Sequence, residues 1–333
     1  VMFVERHSTW EPTDLPYDRE HFGHDPSYSY SKIYDYCSQY YEMSRLAESD
    51  AIDRAKLSEC DVLVVKIPTG RFSSEEVDAI VKFVEGGGGL LLVGDHTNVF
   101  KSSSYLNDIS RRFGFTFRHD LLFAIDSAYD QRVTRPAVPH PVVQHVPPMV
   151  YAVSCSIDPG ASRGRAVVRS PGLWSLPSDY HSENFHPHAE YRPEMRFGSF
   201  IQLWGASHGS GRVLAFTDST IFSNFCIFQP GKAELMVGML EWLNHTTTAG
   251  GRRVRMLTTL LAVAVALASL AFGLMLARSG RVRWLAAVAA VTLGWTVASA
   301  GVAAIHQTAM PEPQLLGPSA RLKQVVIDRT VSE

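Results

Sequence analysis

The chain has 333 residues, 46% hydrophobic and 19% charged, with a formal net charge of −2. Residues 252–333 hold nine Lys and Arg against three Asp and Glu, a net of +6, so the first 251 residues carry −8. An acidic domain argues against nucleic acid as a partner, and the four cysteines, Cys37, Cys60, Cys155 and Cys226, form no CxxC pair that would suggest a zinc knuckle.

In chain order, Val1–Glu5 reads as a short apolar strand and Thr9 to Ser29 as a polar loop. Ile33, Tyr36, Cys37 and Tyr40 share one face of a helix expected over Ser31 to Tyr41. Tyr41–Leu46 is a second strand. Asp61–Ile67 is a continuous apolar run, the mark of a strand buried on both faces of a parallel sheet. Ser73, with Glu76 three residues on, forms a capping box for a helix that buries Val77, Ile80, Val81 and Val84. Gly86 to Gly89 follow that helix and open a strand, Leu90–Gly94. That order marks a helix stop, because a phosphate loop would follow a strand and open a helix. Ser102–Phe113 is helical. From Thr116 to about Arg196 the pattern weakens, with a short strand at Ala166–Arg169. Strands return at Ser199–Trp204 and Arg212–Thr217, before a helix over Lys232–Asn244. Strands alternating with helices imply βαβ units. The expected fold is a doubly wound, mostly parallel three-layer α/β sheet, flavodoxin-like or amidotransferase-like, over residues 1–248.

A basic linker, 249–255, leads into two charge-free segments, Met256–Ala277 and Trp284–Ile305. Each reaches roughly 33 Å as a helix, enough for a bilayer core of ~30 Å. The six residues between them force a hairpin. The sequence therefore predicts a two-helix transmembrane hairpin and an integral membrane protein with membrane lipid and membrane proteins as partners. Three arginines in the short loop favour an extracytoplasmic α/β domain. The chain opens on a strand already under way, and Val325–Thr330 reads as another beginning within the tail 306–333. It is therefore expected to be a segment of a longer protein, with a second copy of the domain starting near Gln324.

In a parallel α/β sheet, ligands bind beyond the carboxyl ends of the strands. Two such ends carry chemistry, Gly94-Asp95-His96-Thr97-Asn98 and Thr217-Asp218-Ser219-Thr220. The structural alternative is that these residues cap helices, since Asp, Ser and Thr are preferred caps. Candidate ligand-binding residues are Asp95, His96, Asn98, Asp218, Ser219 and His140. His119 beside Asp120, His145, His181, His186 and His188 make a histidine-rich central segment. No ligand spacing stands out there, so no cofactor is expected, with a divalent metal as the alternative.

The run Asp61–Asn98, with its strand, Pro-Thr turn, capped helix, glycines and Leu-Leu-Leu-Val-Gly-Asp-His-Thr-Asn end, resembles the class I glutamine amidotransferase-like superfamily. Gly211–Asn224 and a helix ending Leu-Glu-Trp-Leu-Asn are similar to its membrane-linked branch, which includes auxiliary domains of gliding-motility-type ABC transporters. His140-Pro141 resembles a His-Pro turn of these domains. The resemblance covers residues 1–245 and implies the amidotransferase-like fold. It does not carry the activity: no cysteine lies near the Gly94-Asp95-His96 turn, and a thiolate nucleophile needs an exposed turn with an adjacent base. A serine elbow is missing as well. The expected function is a non-catalytic ligand- or protein-binding domain serving a membrane assembly. The rival is a hydrolase in which His96 acts as base or ligand and Asp95 orients it, with Asp218 or His140 converging on the pair.

Overall fold

The structure is a computed structural model that describes residues 1–17, 25–124, 131–133, 140–179 and 192–244, with scattered residues between 260 and 296. The chain divides into two compact units, one built on Val1–Asn244 and the other on His245–Glu312. In the second, described apolar side chains such as Trp284 and Trp295 are three-quarters exposed.

The first unit begins with β1 (Met2–Val4), α1 (Asp25–Tyr28), α2 (Ser31–Cys37), β2 (Ser44–Leu46), α3 (Arg54–Leu57) and β3 (Val62–Lys66). Next come α4 (Ser74–Glu85), β4 (Gly89–Val93) and α5 (Ser102–Ser110). Eight more strands succeed them: β5 (Thr116–Phe117), β6 (Asp120–Ala124), β7 (Gln131–Val133), β8 (Met149–Tyr151), β9 (Ile157–Asp158), β10 (Arg165–Pro177), β11 (Arg196–His208) and β12 (Gly211–Phe216). Helix α6 (Lys232–Leu243) ends the unit.

Apolar runs become fully buried strands: every residue of β3 and of β4 is buried. The capping box forms as the spacing requires, with Ser73 accepting from the Glu76 amide and Glu76 accepting from the Ser73 amide. The glycine run stops α4, and Gly87 takes a positive φ of 119°. Strands β2, β1, β3, β4 and β12 lie side by side in that order and are all parallel. Their alternate side chains face two cores. Phe3, Val64, Leu91 and Phe216 pack with α2 and α6, while Val4, Val65, Leu92 and Ala215 pack with α4 and α5.

Beyond β12 the direction reverses. β11, β10 and β6 add antiparallel, with β9 and β5 attached beside β11, while β7 and β8 form a separate ribbon. This corrects the expected fold. The ten-stranded sheet is mixed, not mostly parallel, and is neither flavodoxin-like nor amidotransferase-like as a whole. The reason is local: β10 and β11 run 13 residues each and pair with each other across register shifts. Their apolar pattern is thereby broken and reads in sequence as irregular chain.

The membrane expectation is corrected too. Among the described residues no helix is long and apolar enough to cross a membrane. The longest, α4 and α6, have 12 residues each, about 18 Å against the ~30 Å a span needs. Most of Met256–Ala277 and Trp284–Ile305, and all of 306–333, lie outside the described residues. No described helix carries the expected transmembrane hairpin, nor with it the integral-membrane placement with an extracytoplasmic domain or the lipid and membrane-protein partners.

Candidate functional site at the carboxyl rim

The parallel strands β1, β3, β4 and β12 deliver their carboxyl ends to one rim, where four polar segments meet. After β4, Asp95 is buried; its Oδ1 accepts from the His96 amide at 2.6 Å, and its Oδ2 faces Ser219 Oγ at 2.6 Å and Thr220 Oγ1 at 3.2 Å. After β1, Glu11 is buried as well, with Oε1 2.8 Å from the same Ser219 Oγ. A hydroxyl has one hydrogen, so Ser219 can donate to only one of these carboxyls and must accept from the other. Burial, with Asp95 next in effect, raises Glu11 to about 8. A proton held by Glu11 lets it donate to Ser219, which then donates to Asp95. Tyr30 Oη closes the group by donating to the Ser219 carbonyl at 2.6 Å. The fully buried Lys66 at the end of β3 pairs with Glu5 Oε2 at 3.1 Å.

Asp218 is fully buried. Its Oδ2 accepts from the Ala152 and Val153 amides at 2.6 and 3.2 Å, joining the end of β12 to the chain after β8. It does not cap the turn Ser219–Phe222. Burial and then the Asp95 charge push its carboxyl well above the usual range.

The other expected residues are placed differently. His96 is buried, its Nδ1 lies 2.7 Å from Thr97 Oγ1, and burial lowers it to about 4, so the ring is neutral. Its Nε2 lies 4.0 Å from Asp95 Oδ1. Asn98 Oδ1 accepts from the Ser104 amide at 2.9 Å and so caps α5, while its Nδ2 donates to Asp179. His140 does not reach the rim. It packs on Trp242, accepts from the Val142 amide, and is lowered to about 3 by burial and then by Arg165 and Arg212. Arg212 is the second residue of β12, whereas Asp218 lies past its end. The triad of Asp95, His96 and a converging His140 is therefore not assembled, and the buried Asp95 and His96 present no open face to a substrate. His119 lies 3.6 Å from Asp179, and Asp120 accepts from Ser156 and Ser175 inside the sheet. His181, His186 and His188 lie outside the described residues. Among the described residues no group of three or more His, Cys, Asp or Glu could hold a metal.

What opens to solvent at this rim is a cleft of about 380 Å³ lined by Thr9, Trp10, Thr69, Phe100, Lys101 and Tyr105. Its walls come from the loops after β1, β3 and β4 and from the first turn of α5. Trp10 and Phe100 pack together, their rings tilted by 47° with centroids 4.9 Å apart. Among the described residues Lys101 is the one charged group of the lining, and α5 has no acidic residue in its first turn. All seven described non-glycine residues with positive φ lie in these three loops: His7, Glu11, Ile67, Thr97, Asn98, Phe100 and Lys101. For β-branched Ile67 and Thr97 that conformation is costly, and such strain persists where surrounding contacts over-determine the backbone. Here the Glu11–Ser219–Asp95 group supplies some of those contacts. Sequence reasoning missed Glu11, Lys66 and Tyr30. Lys66 left a trace, a lysine closing a wholly apolar strand. Glu11, in a polar loop, left none.

By sequence, residues 30–240 match the family described as Domain of unknown function (DUF4350). No curated protein matches the chain. Among solved structures, the mmIFT52 N-terminal domain aligns at 12% identity over 73% of this chain and 97% of that one, with a TM-score of 0.52, a likeness of fold alone. The cytoplasmic protein STM1381 from Salmonella typhimurium LT2 aligns at 12% over 64% and 86%, TM-score 0.46. A ThuA-like protein from Bacteroides uniformis aligns at 12% over 73% and 89%, TM-score 0.42. The expected membership of the class I glutamine amidotransferase-like superfamily is thereby corrected. The features that suggested it, a buried strand, a capped helix, a glycine stop and a second strand, are demanded by βαβ packing in general and do not single out one family.

Proposed function

We propose that this chain, which belongs to the DUF4350 family of domains of unknown function, is a non-catalytic binding domain that takes a small, ring-bearing organic anion in the rim cleft. The observation that carries this reading is the lining. Three aromatic rings offer apolar faces, two threonines offer hydroxyls, and one lysine meets no acidic group among the described residues of the cleft. A volume of about 380 Å³ lies within the range of small-molecule sites. The amino end of α5 adds positive potential beside Lys101. The base that a catalytic reading would use at this rim, His96, is neutral and buried.

The test is calorimetric titration of the full chain with paired probes: ring-bearing carboxylates and phosphates, each with its uncharged amide or dephosphorylated counterpart. The charged members should bind more tightly, and Lys101→Gln should weaken them about tenfold, the effect of roughly 1.4 kcal/mol. Trp10→Ala should weaken both members of a pair. If no member binds, or if binding ignores both substitutions, the cleft is not the site.

A further inference from the structure

Lys232 opens α6, and Cys226 lies six residues before it in the segment between Asp218 and that helix. Both are buried, Lys232 at 1% and Cys226 at 5% exposure. A lysine this deep ordinarily points at a carboxylate oxygen. Here the Nζ donates to Cys226 Sγ at 2.8 Å, while Asp218 feels its charge from further away. Sulfur is a larger atom than oxygen, yet this separation is no longer than a usual N–H···O bond of about 2.9 Å. Cys226 keeps 5% exposure, and the gap between the two atoms is one that a single inserted oxygen atom spans.

We propose that Cys226 and Lys232 are a redox modification site, at which a peroxide converts the hydrogen-bonded pair into a covalent sulfur–oxygen–nitrogen bridge. One peroxide molecule oxidises the Cys226 thiol to a sulfenic acid and leaves as water. Lys232 then reacts as the free amine, its extra proton having passed to solvent. A second peroxide removes one hydrogen from the sulfenic oxygen and one from the amine nitrogen as the O–N bond forms, and leaves as two waters. Sulfur is oxidised in the first step, nitrogen in the second, and peroxide oxygen is reduced in both. Excess thiol reductant reverses the change. The bridge has two consequences at the rim. It ties the segment after Asp218 to the first residue of α6, and it removes a buried positive charge that favours the Asp218 carboxylate.

Tryptic mapping of the full chain after treatment with hydrogen peroxide tests this. Trypsin cuts after Lys and Arg, so the reduced protein yields a peptide 213–232. A bridged Lys232 is not recognised, and the peptide instead runs 213–252. That longer peptide should carry one added oxygen and lack two hydrogens. It should vanish after thiol reduction and be absent from Cys226→Ser and Lys232→Arg, with circular dichroism confirming that both variants fold. The wild-type map decides by itself if either variant does not fold. Normal cleavage at Lys232, oxygen confined to Cys226 as sulfinic or sulfonic acid, or loss of two hydrogens with no oxygen gained would each overturn the bridge.

Discussion

At the scale of single residues, the rim is governed by proton counting. Glu11 keeps a proton in the folded state between its ordinary value of 4.5 and about 8, which the unfolded chain releases over the same range. The folded state therefore binds more protons than the unfolded one, and stability falls as pH rises through that window. Glu11→Gln supplies an amide N–H to Ser219 without titrating. Melting temperatures of the two proteins should diverge from pH 4.5 to about 8, with the wild type losing several degrees relative to the variant. Parallel profiles would mean that Glu11 is ionised in the fold and Ser219 donates to it. His96 works in the opposite sense. Its lowered value of about 4 leaves the folded state short of a proton below the ordinary 6.5, so its contribution is lost as pH falls from 6.5 toward 4. Because His96 is unchanged in Glu11→Gln, it cancels from the comparison.

At the scale of elements, helix α4 illustrates how local rules and long-range contacts share one side chain. Glu76 completes the capping box and also accepts from Arg6 Nε at 2.7 Å and lies 3.0 Å from His7 Nε2. Removing only the cap, with Ser73→Ala, should cost about 1 kcal/mol and lower the melting temperature by roughly 2–4 °C. Glu76→Ala should cost more, because it also removes the contacts to Arg6 and His7 in the loop after β1. Equal losses in the two variants, read from thermal denaturation, would reduce Arg6 and His7 to bystanders. That loop carries Thr9 and Trp10 into the cleft, so the capping of α4 bears on the geometry of the site as well as on the helix.

At the scale of the whole first unit, Asp218 joins the parallel strands to the chain after β8. The Asp218→Ala change leaves two amides, of Ala152 and Val153, without their acceptor, a cost of about 1–3 kcal/mol for each that stays buried. Asp218→Asn retains a carbonyl oxygen for both amides and matches the neutral carboxyl that burial favours, so it should be nearly silent. Denaturant titration should place the two variants far apart, each with a single transition. If asparagine proves as damaging as alanine, the charge of Asp218 matters and its carboxyl is ionised.

Parts of this architecture were legible in the sequence because they obey short-range rules. The buried strands β3 and β4, the capping box at Ser73 and the stop at Gly86–Gly89 each arise from residues within a few positions of one another. Asp95, Asn98, Asp218 and Ser219 were likewise legible, as polar residues set directly past the ends of apolar strands. What each of them does was not legible. Asn98 caps a helix, Asp218 gathers amides from some 65 residues away in sequence, and Asp95 shares Ser219 with Glu11, which is 208 positions from that serine. The antiparallel half escaped for a related reason. Register shifts in β10 and β11 erase the alternation that marks a strand, and the direction of a partner strand leaves no mark on composition. The sequence by itself determined which segments must be buried; only the tertiary structure decided which buried polar groups meet, because burial is a property of a residue and its neighbours, whereas proton sharing needs two distant residues at one point in space.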